Sequence, residues 1–272
     1  FSFSLLDKKK ICVGLISFGE NNEKNLFSPV NGSFGGFEFD NNVTLEIKEL
    51  FVKYVINLLD SKGTRKIEIT LAPEIYHLEQ NTDNISILHR LNFKINKVEI
   101  NQYINLSNYN FSSSVSYGNK KRINKCIKRG IEFKSIDQSN FFDAFNIIKI
   151  NRERKKYPLT MNWDSLNMMI KTFPDKFHIF GLIDNGQMIA SSICINVIDD
   201  ILYVFYWGEI SGYEKESPIA FLSQKLIDYA STKNFRILDI GTSSHNSVPN
   251  IGLHKFKKNI GCSGCKKYYL KR

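Results

Sequence analysis

Apolar and polar residues take turns along residues 1 to 20 (Phe1, Phe3 and Leu5, then Ile11, Val13, Leu15, Ile16 and Phe18). The turn-like run Asp7-Lys8-Lys9-Lys10 lies between them, which predicts a β-hairpin. Residues 26 to 39 hold Ser28-Pro29, Gly32, Gly35 and Gly36 among aromatics and read as extended chain with close backbone approaches. From Val43 to Lys62 the period becomes helical, with Ile47, Leu50, Phe51, Tyr54, Val55 and Leu58 on one face and Gly63 as the stop. A strand is expected over 65 to 71, a helix over 74 to 91 with a loose middle at Gln80 to Asn84, and a strand over 93 to 104.

Residues 105 to 115 are Asn/Ser-rich and read as a linker. Beyond it, Tyr117 to Arg129 sets Lys120, Lys121, Arg122, Lys125, Lys128 and Arg129 around Ile123, Cys126 and Ile127, a basic amphipathic helix ended by Gly130. It is read either as a solvated surface helix or as one that touches phosphates. A strand over 131 to 136 and helices over 140 to 151 and 163 to 172 follow. The charged run Arg152 to Lys156 is read as a helix end, and Tyr157-Pro158 as a break. Three strands in hairpin fashion are expected over 177 to 183, 188 to 197 and 202 to 207, with turns at Asp184-Asn185-Gly186 and Asp199-Asp200.

The chain is organised around residues 203 to 258: a strand ending Trp207-Gly208, a polar loop, a helix from Ser217-Pro218, a strand over 235 to 240, a Gly/Ser/Asn loop, and the basic run Gly252 to Lys258. Ser217 is expected to cap the helix and Pro218 to occupy its first position, with Ile219, Leu222, Leu226 and Tyr229 on one face. A strand that feeds a helix N-terminus presents unpaired N–H groups suited to an anion. The plainer reading is an ordinary β-α-β unit. A last strand is expected over 266 to 270.

The order strand, Gly36, loop, helix, Gly63, strand matches the order strand, Gly208, loop, helix, Asn234, strand at nearly equal spacing, so the chain reads as two copies of one α/β unit. The expected division is 1–115 and 116–272, with the donor site in the second part. At 272 residues, 42% apolar and 13% aromatic, the chain can bury a substantial core. Lys and Arg number 37 against 27 Asp and Glu, a formal charge of +10 that favours anionic partners, although a general Asn/Ile/Lys richness contributes to it. Five cysteines, an odd number, with Cys12, Cys126 and Cys194 far apart, fit a reducing cytoplasm. Cys262 and Cys265 form a lone C-x-x-C without a second pair, which reads as free thiols and no metal site. No apolar run reaches the length of a membrane span.

Ser217-Pro218, Asp239-Ile240-Gly241 and the run Gly252-Leu253, Phe256-Lys257, Ile260-Gly261 resemble the motifs of the GNAT acyltransferase superfamily, in its FemABX-like branch. The resemblance implies two GNAT-like units in tandem, each a mixed, mostly antiparallel sheet flanked by helices. It implies an N-acyltransferase that moves an acyl group from acyl-CoA (acetyl-CoA) to an amine of a cell-envelope or sugar-nucleotide substrate. An aminoacyl-tRNA-dependent peptidyltransferase acting on a peptidoglycan precursor is the alternative. A non-catalytic RNA- or protein-binding relative is a third. Ser211 to Glu216 departs from the Gly-rich phosphate loop of coenzyme A-binding members by two acidic residues, which bears on the donor.

On this resemblance Lys257 stabilises the oxyanion and Asp239 orients the acceptor or Lys257, with His245 and Glu209 as further catalytic candidates. Trp207, Gly208, Ser217, Ile219 and Ala220 would hold the donor. Arg122, Lys125, Phe34, Gly35, Gly36 and Ser243 would contact the acceptor, possibly nucleotide-linked. The plainer alternatives are a surface lysine at 257, a loop-capping carboxylate at 239 and an inert loop histidine at 245.

Overall fold

Residues 1–30 and 32–272 are described by a computed structural model; Asn31, within the segment expected to be extended, lies outside the described residues. The strands are β1 (Ser2–Leu6), β2 (Cys12–Ser17), β3 (Gly19–Glu20), β4 (Asn25–Ser28), β5 (Glu38–Phe39), β6 (Lys66–Thr70), β7 (Lys94–Asn105) and β8 (Glu132–Ser135). They continue with β9 (Phe177–Asp184), β10 (Gln187–Ile198), β11 (Ile201–Glu209), β12 (Ile237–Thr242), β13 (Ser244–His245), β14 (Val248–Pro249) and β15 (Ser263–Lys271). The helices are α1 (Leu45–Ser61), α2 (Leu78–Arg90), α3 (Phe111–Ser114), α4 (Tyr117–Lys128), α5 (Phe141–Arg154), α6 (Trp163–Thr172), α7 (Pro218–Thr232) and α8 (Ile251–Asn259).

Two compact units divide the chain: residues 1–100, 244–249 and 265–272 form the first, and residues 101–243 and 250–264 the second. Each is a mixed, mostly antiparallel sheet flanked by helices, the α/β architecture expected.

In the first unit β1, β2 and β5 form a small antiparallel sheet, and a second sheet has the order β3-β4-β6-β15. Strands β4 and β6 pair in parallel, from Asn25 opposite Lys66 to Ser28 opposite Ile69, with α1 in the connection. The apolar face of α1 buries Phe51, Val52, Val55, Ile56 and Leu59 against Ile67, Ile69, Ile87 and Leu88.

The second unit orders its strands β7-β12-β11-β10-β9-β8. All neighbours are antiparallel except β11 and β12, which flank α7 in the chain. The parallel β-α-β step therefore occurs once in each unit, where the repeat places it. One side of the sheet buries Ala220, Leu222, Leu226 and Ala230 of α7 with Ile123 and Cys126 of α4; α5 and α6 supply Phe145, Ile148, Leu166 and Ile170 to a separate cluster.

Several expectations are corrected. Residues 26 to 39 form only β4 and β5, separated by a loop in which the Gly35 N–H donates to the Thr70 carbonyl at 2.8 Å. The amide-rich middle expected to be loose lies inside α2, because Asn81 and Asn84 are buried and donate to the carbonyls of Ala72 and Phe37, each at 2.8 Å. The expected linker is ordered into a 3-10 turn (Leu106–Asn108) and α3, capped by the side chains of Asn105 and Asn110. The basic run from Gly252 to Lys258 is helical, with Asn250 as its N-cap. No helix among the described residues is long and apolar enough to cross a membrane.

Candidate functional site

The parallel ladder between β11 and β12 is three residues long: Ile201 pairs with Ile237, Leu202 with Leu238 and Tyr203 with Asp239. Beyond that point β11 keeps its antiparallel partner β10 as far as Glu209 opposite Ala190, while β12 follows β7 to Thr242 opposite Asn101. The two strands thus part, and Val204–Glu209 has no strand neighbour on its β12 side among the described residues. Because the helix between two parallel strands begins at their C-terminal ends, the N-terminus of α7 lies at the open end.

Within this free stretch β11 carries a bulge. Ile193 faces Tyr206 and the next residue, Cys194, faces Val204, so Phe205 has no partner on β10. The bulge reverses the side-chain alternation: Val204 joins the core beneath α7, and Tyr206, two residues later, joins the cluster beneath α5. Trp207 returns to the α7 side, its ring 6.3 Å from Phe256 of α8 and edge-on to it. An unpaired N–H where a ladder is interrupted is a donor free for a ligand.

Three buried residues hold β12 away from β11. Asp239 is fully buried, and its Oδ1 accepts from Asn101 Nδ2 at 2.7 Å and from the Gly241 N–H at 2.8 Å. Gly241 has φ +76°, a left-handed conformation in which side chains are rarely found, and it lies against Tyr203. The Lys257 ammonium, 2% exposed, donates to the carbonyls of Ile240, Gly241 and Thr242 at 2.9, 2.8 and 2.8 Å. Burial pushes Lys257 down to about 8, opposed by Cys262 and Asp239, while three carbonyl acceptors favour its charged form.

The other predicted residues are dispersed. The Lys257 ammonium, expected to stabilise an oxyanion, directs its three hydrogens at backbone carbonyls, where it acts as a buried brace. Glu209 ends β11; its Oε1 is 3.4 Å from Lys155 Nζ, and its Oε2 is buried without a hydrogen-bond partner among the described residues. A Cβ on Gly208 would come within 2.8 Å of Ile148 Cα and 3.0 Å of Asn151 Cβ, so this glycine serves the approach of α5. Ser217 has φ 50° and ψ 68° and makes no side-chain cap, contrary to expectation; its own N–H and that of Glu216 turn back onto the Tyr213 carbonyl. Ile219 and Ala220 are buried in the core. Ser243 Oγ lies 3.3 Å from His254 Nδ1.

Arg122 and Lys125 are exposed on α4, and no hydrogen bond or ion pair joins them to Asp239 or Lys257. His245, Phe34, Gly35 and Gly36 belong to the first unit. There His245 is exposed in β13, the Phe34 ring lies 4.8 Å from that of Tyr76, and the Gly36 N–H donates to Ser28 Oγ at 3.1 Å. No group of three or more His, Cys, Asp or Glu among the described residues is arranged to hold a metal ion.

Two features of the site escaped the sequence reading. Arg152, in the run read as a charged helix end, is half-buried with its guanidinium 4.9 Å from the centre of the Tyr206 ring. Its Nε donates to the Pro158 carbonyl at 3.0 Å, and no carboxylate pairs with it among the described residues. Burial lowers its pKa, opposed by the nearby phenols of Tyr206, Tyr203 and Tyr157. The Tyr157 hydroxyl in turn accepts from Asn250 Nδ2 at 3.0 Å.

The second feature is Glu214. Both of its carboxylate oxygens lie 3.1 Å from the Gly212 N–H, and Arg154 is 3.3 Å away. Backbone N–H groups, its own and that of Gly212, hold its pKa below the usual carboxylate range.

The fold has counterparts among solved structures. FemX aligns with a TM-score of 0.72 at 12% identity, over 100% of this chain and 87% of its own. The fold is GNAT/FemABX-like. L-PGS from Bacillus licheniformis aligns with a TM-score of 0.71 at 11% identity, over 99% of this chain and 83% of its own. A GNAT-family acetyltransferase from Colwellia psychrerythraea aligns at 0.52 and 12%, over 99% and 84%. No protein-family model matches the sequence, and no curated protein matches it in sequence. The likeness is one of fold.

Proposed function

We propose that the protein transfers an acyl or aminoacyl group to the amine of an acceptor that carries an anionic group, at the opening between β11 and β12. The observation that carries this reading is the bulge at Phe205 on the unpaired edge of β11. A backbone N–H there can donate to the oxyanion that forms as the amine attacks the acyl carbon, a service the engaged Lys257 ammonium does not offer. Glu209 is the candidate base. Its partnerless Oε2 takes the proton that the amine loses as the C–N bond forms, and returns it to the leaving oxygen or sulfur. Arg152, framed by three tyrosines, meets the acceptor's phosphate or carboxylate.

The loop before α7 bears on the donor. A pyrophosphate placed on its N–H groups would meet Glu214, which already occupies the Gly212 N–H, and Glu216 beside it. Like charge there disfavours coenzyme A. The surface of the second unit favours RNA instead: residues 101–131, 240–243 and 250–264 contain no Asp or Glu, and Lys121, Arg122, Lys125, Lys128, Lys255 and Lys258 are exposed within them. An aminoacyl ester of tRNA is therefore the better-supported donor, with a peptidoglycan-type amine as acceptor. Acyl-CoA is the second reading, supported by the GNAT acetyltransferase neighbours.

Thermal unfolding with deacylated tRNA, acetyl-CoA, a longer acyl-CoA and a UDP-amino sugar separates these readings, since ligands of the folded state raise the midpoint. Salt-sensitive stabilisation by tRNA alone supports the first. A shift with acyl-CoA in wild type would overturn it in favour of the second.

A further inference from the structure

The first unit presents an amphipathic hairpin that the proposed transfer does not use. Strands β1 and β2 pair from Ser2 opposite Ser17 to Leu6 opposite Cys12. Their inner positions, Phe3, Leu5, Ile16 and Phe18, pack on the core of that unit. The outer face is also apolar towards the tip: Leu6 is 53% exposed, Ile11 56% and Leu15 42%.

Between the two strands Lys8, Lys9 and Lys10 are all exposed, without a hydrogen bond or ion pair from their side chains among the described residues. The single carboxylate of the tip, Asp7, accepts from the N–H groups of Lys9 and Ile11, both at 2.8 Å. The Asp7 carbonyl receives the Lys10 N–H at 3.0 Å, which fixes the turn. A rigid tip thus sets three ammonium groups in water next to three large apolar side chains. Solvent alone rewards no such pairing, because exposed aliphatic groups gain nothing from lysines beside them.

We propose that this hairpin tip docks on an anionic phospholipid surface. Leu6 and Ile11 enter the boundary between headgroups and acyl chains while Lys8, Lys9 and Lys10 lie among the phosphates, without any segment spanning the bilayer. Charge complementarity selects this occupant over a second copy of the chain, since a two-fold pairing of the apolar faces would bring two tri-lysine turns towards each other. The amine acceptor and the acyl donor take no part, so the inference stands or falls apart from the proposed reaction.

The test is co-sedimentation of the whole chain with vesicles of phosphatidylcholine alone and of phosphatidylcholine mixed with phosphatidylglycerol. Wild type is expected to partition onto the anionic vesicles only, and less at high salt. Replacing Lys8, Lys9 and Lys10 together by Ala should lower partitioning about a hundredfold, from a factor of about five per lysine near an anionic surface. L6S with I11S should weaken it at every salt concentration. Far-UV circular dichroism and the melting midpoint verify that each variant is folded. In a Leu6→Trp variant, a blue shift of the emission with anionic vesicles places position 6 in the interface. Failure of wild type to bind, or equal binding by the triple-lysine variant, overturns the proposal. So does a concentration-dependent dimer that L6S with I11S abolishes, or loss of RNA binding in the triple variant while vesicle binding persists.

Discussion

Replacing Lys257 by Met removes the ammonium and leaves the carbonyls of Ile240, Gly241 and Thr242 without their common donor. A hydrogen bond from a charged group contributes about 1.5–3 kcal/mol net, so three contribute about 5–9. Burying the ammonium opposes this: a fall in pKa from 10.5 to about 8 corresponds to about 3 kcal/mol. The variant should therefore lose about 2–6 kcal/mol, which brackets the about 3–5 kcal/mol seen when one partner of a buried ion pair is removed. Both tryptophans, Trp163 and Trp207, lie in the second unit, so urea unfolding followed by their fluorescence reports on the unit that holds the brace. At a slope of about 2 kcal/mol per molar urea the midpoint should fall by about 1–3 M. Arg at this position should not restore it, because a planar guanidinium cannot direct three hydrogens at three successive carbonyls. A midpoint within experimental error of wild type would refute the brace. If transfer were lost at the same time, Lys257 would return to the catalytic role that the resemblance implies.

Gly208→Ala should destabilise by about 1–3 kcal/mol, because its Cβ would strike helix backbone at Ile148 that has no free space to move into; the melting midpoint measures this. Arg152→Gln should cost about 1–2 kcal/mol for the lost hydrogen bond to Pro158 and ring contact with Tyr206, and raise the KM for the acceptor more than it lowers kcat. An unchanged KM would remove Arg152 from acceptor binding. Stability should fall as pH rises above about 9. Burial holds the Cys194 and Cys262 thiols protonated up to about 12 in the fold, while unfolded thiols ionise near 9, so each costs about 1.4 kcal/mol per pH unit in between. Lys257 acts in the opposite sense between about 8 and 10.5, where the unfolded chain binds the additional proton. C194A with C262A should reduce the alkaline loss, as read from urea midpoints across pH, while the Cys126 thiol, pushed up to about 11 by burial, keeps part of it.

What the sequence made legible is local. The period of α4, α6 and α7 and the alternation of β9, β10 and β11 place those elements within a residue or two. Long-range partners hid the rest. The amides in α2 look like breakers until Asn81 is seen on the Ala72 carbonyl outside the helix and Asn84 on that of Phe37, 47 residues away. Ser217-Pro218 marks the start of α7 correctly, but for a left-handed residue rather than a cap. The bulge leaves no mark in the aromatic run from Tyr203 to Trp207, because it is a property of pairing with β10. Arg152 sits among charges that face solvent, and only the fold sets it over Tyr206.

The motif residues that first drew attention have a physical reason to occur together. To part from β11, β12 must turn its backbone after Asp239, and turning exposes an N–H and three carbonyls that the ladder would have satisfied. Asp239 accepts the N–H of Gly241, Gly241 supplies the left-handed conformation, and Lys257 takes all three carbonyls. Each of the three is useless without the other two, since a carboxylate buried at 239 and an ammonium buried at 257 would each be a costly isolated charge. The Asp-x-Gly and Phe-Lys signatures thus describe how β12 is held as it turns, and under the proposed reaction a backbone donor on β11 would serve the acyl oxygen. On this reading the chemistry depends on Lys257 through geometry. A variant that loses activity and stability in proportion supports it, and one that loses activity alone does not.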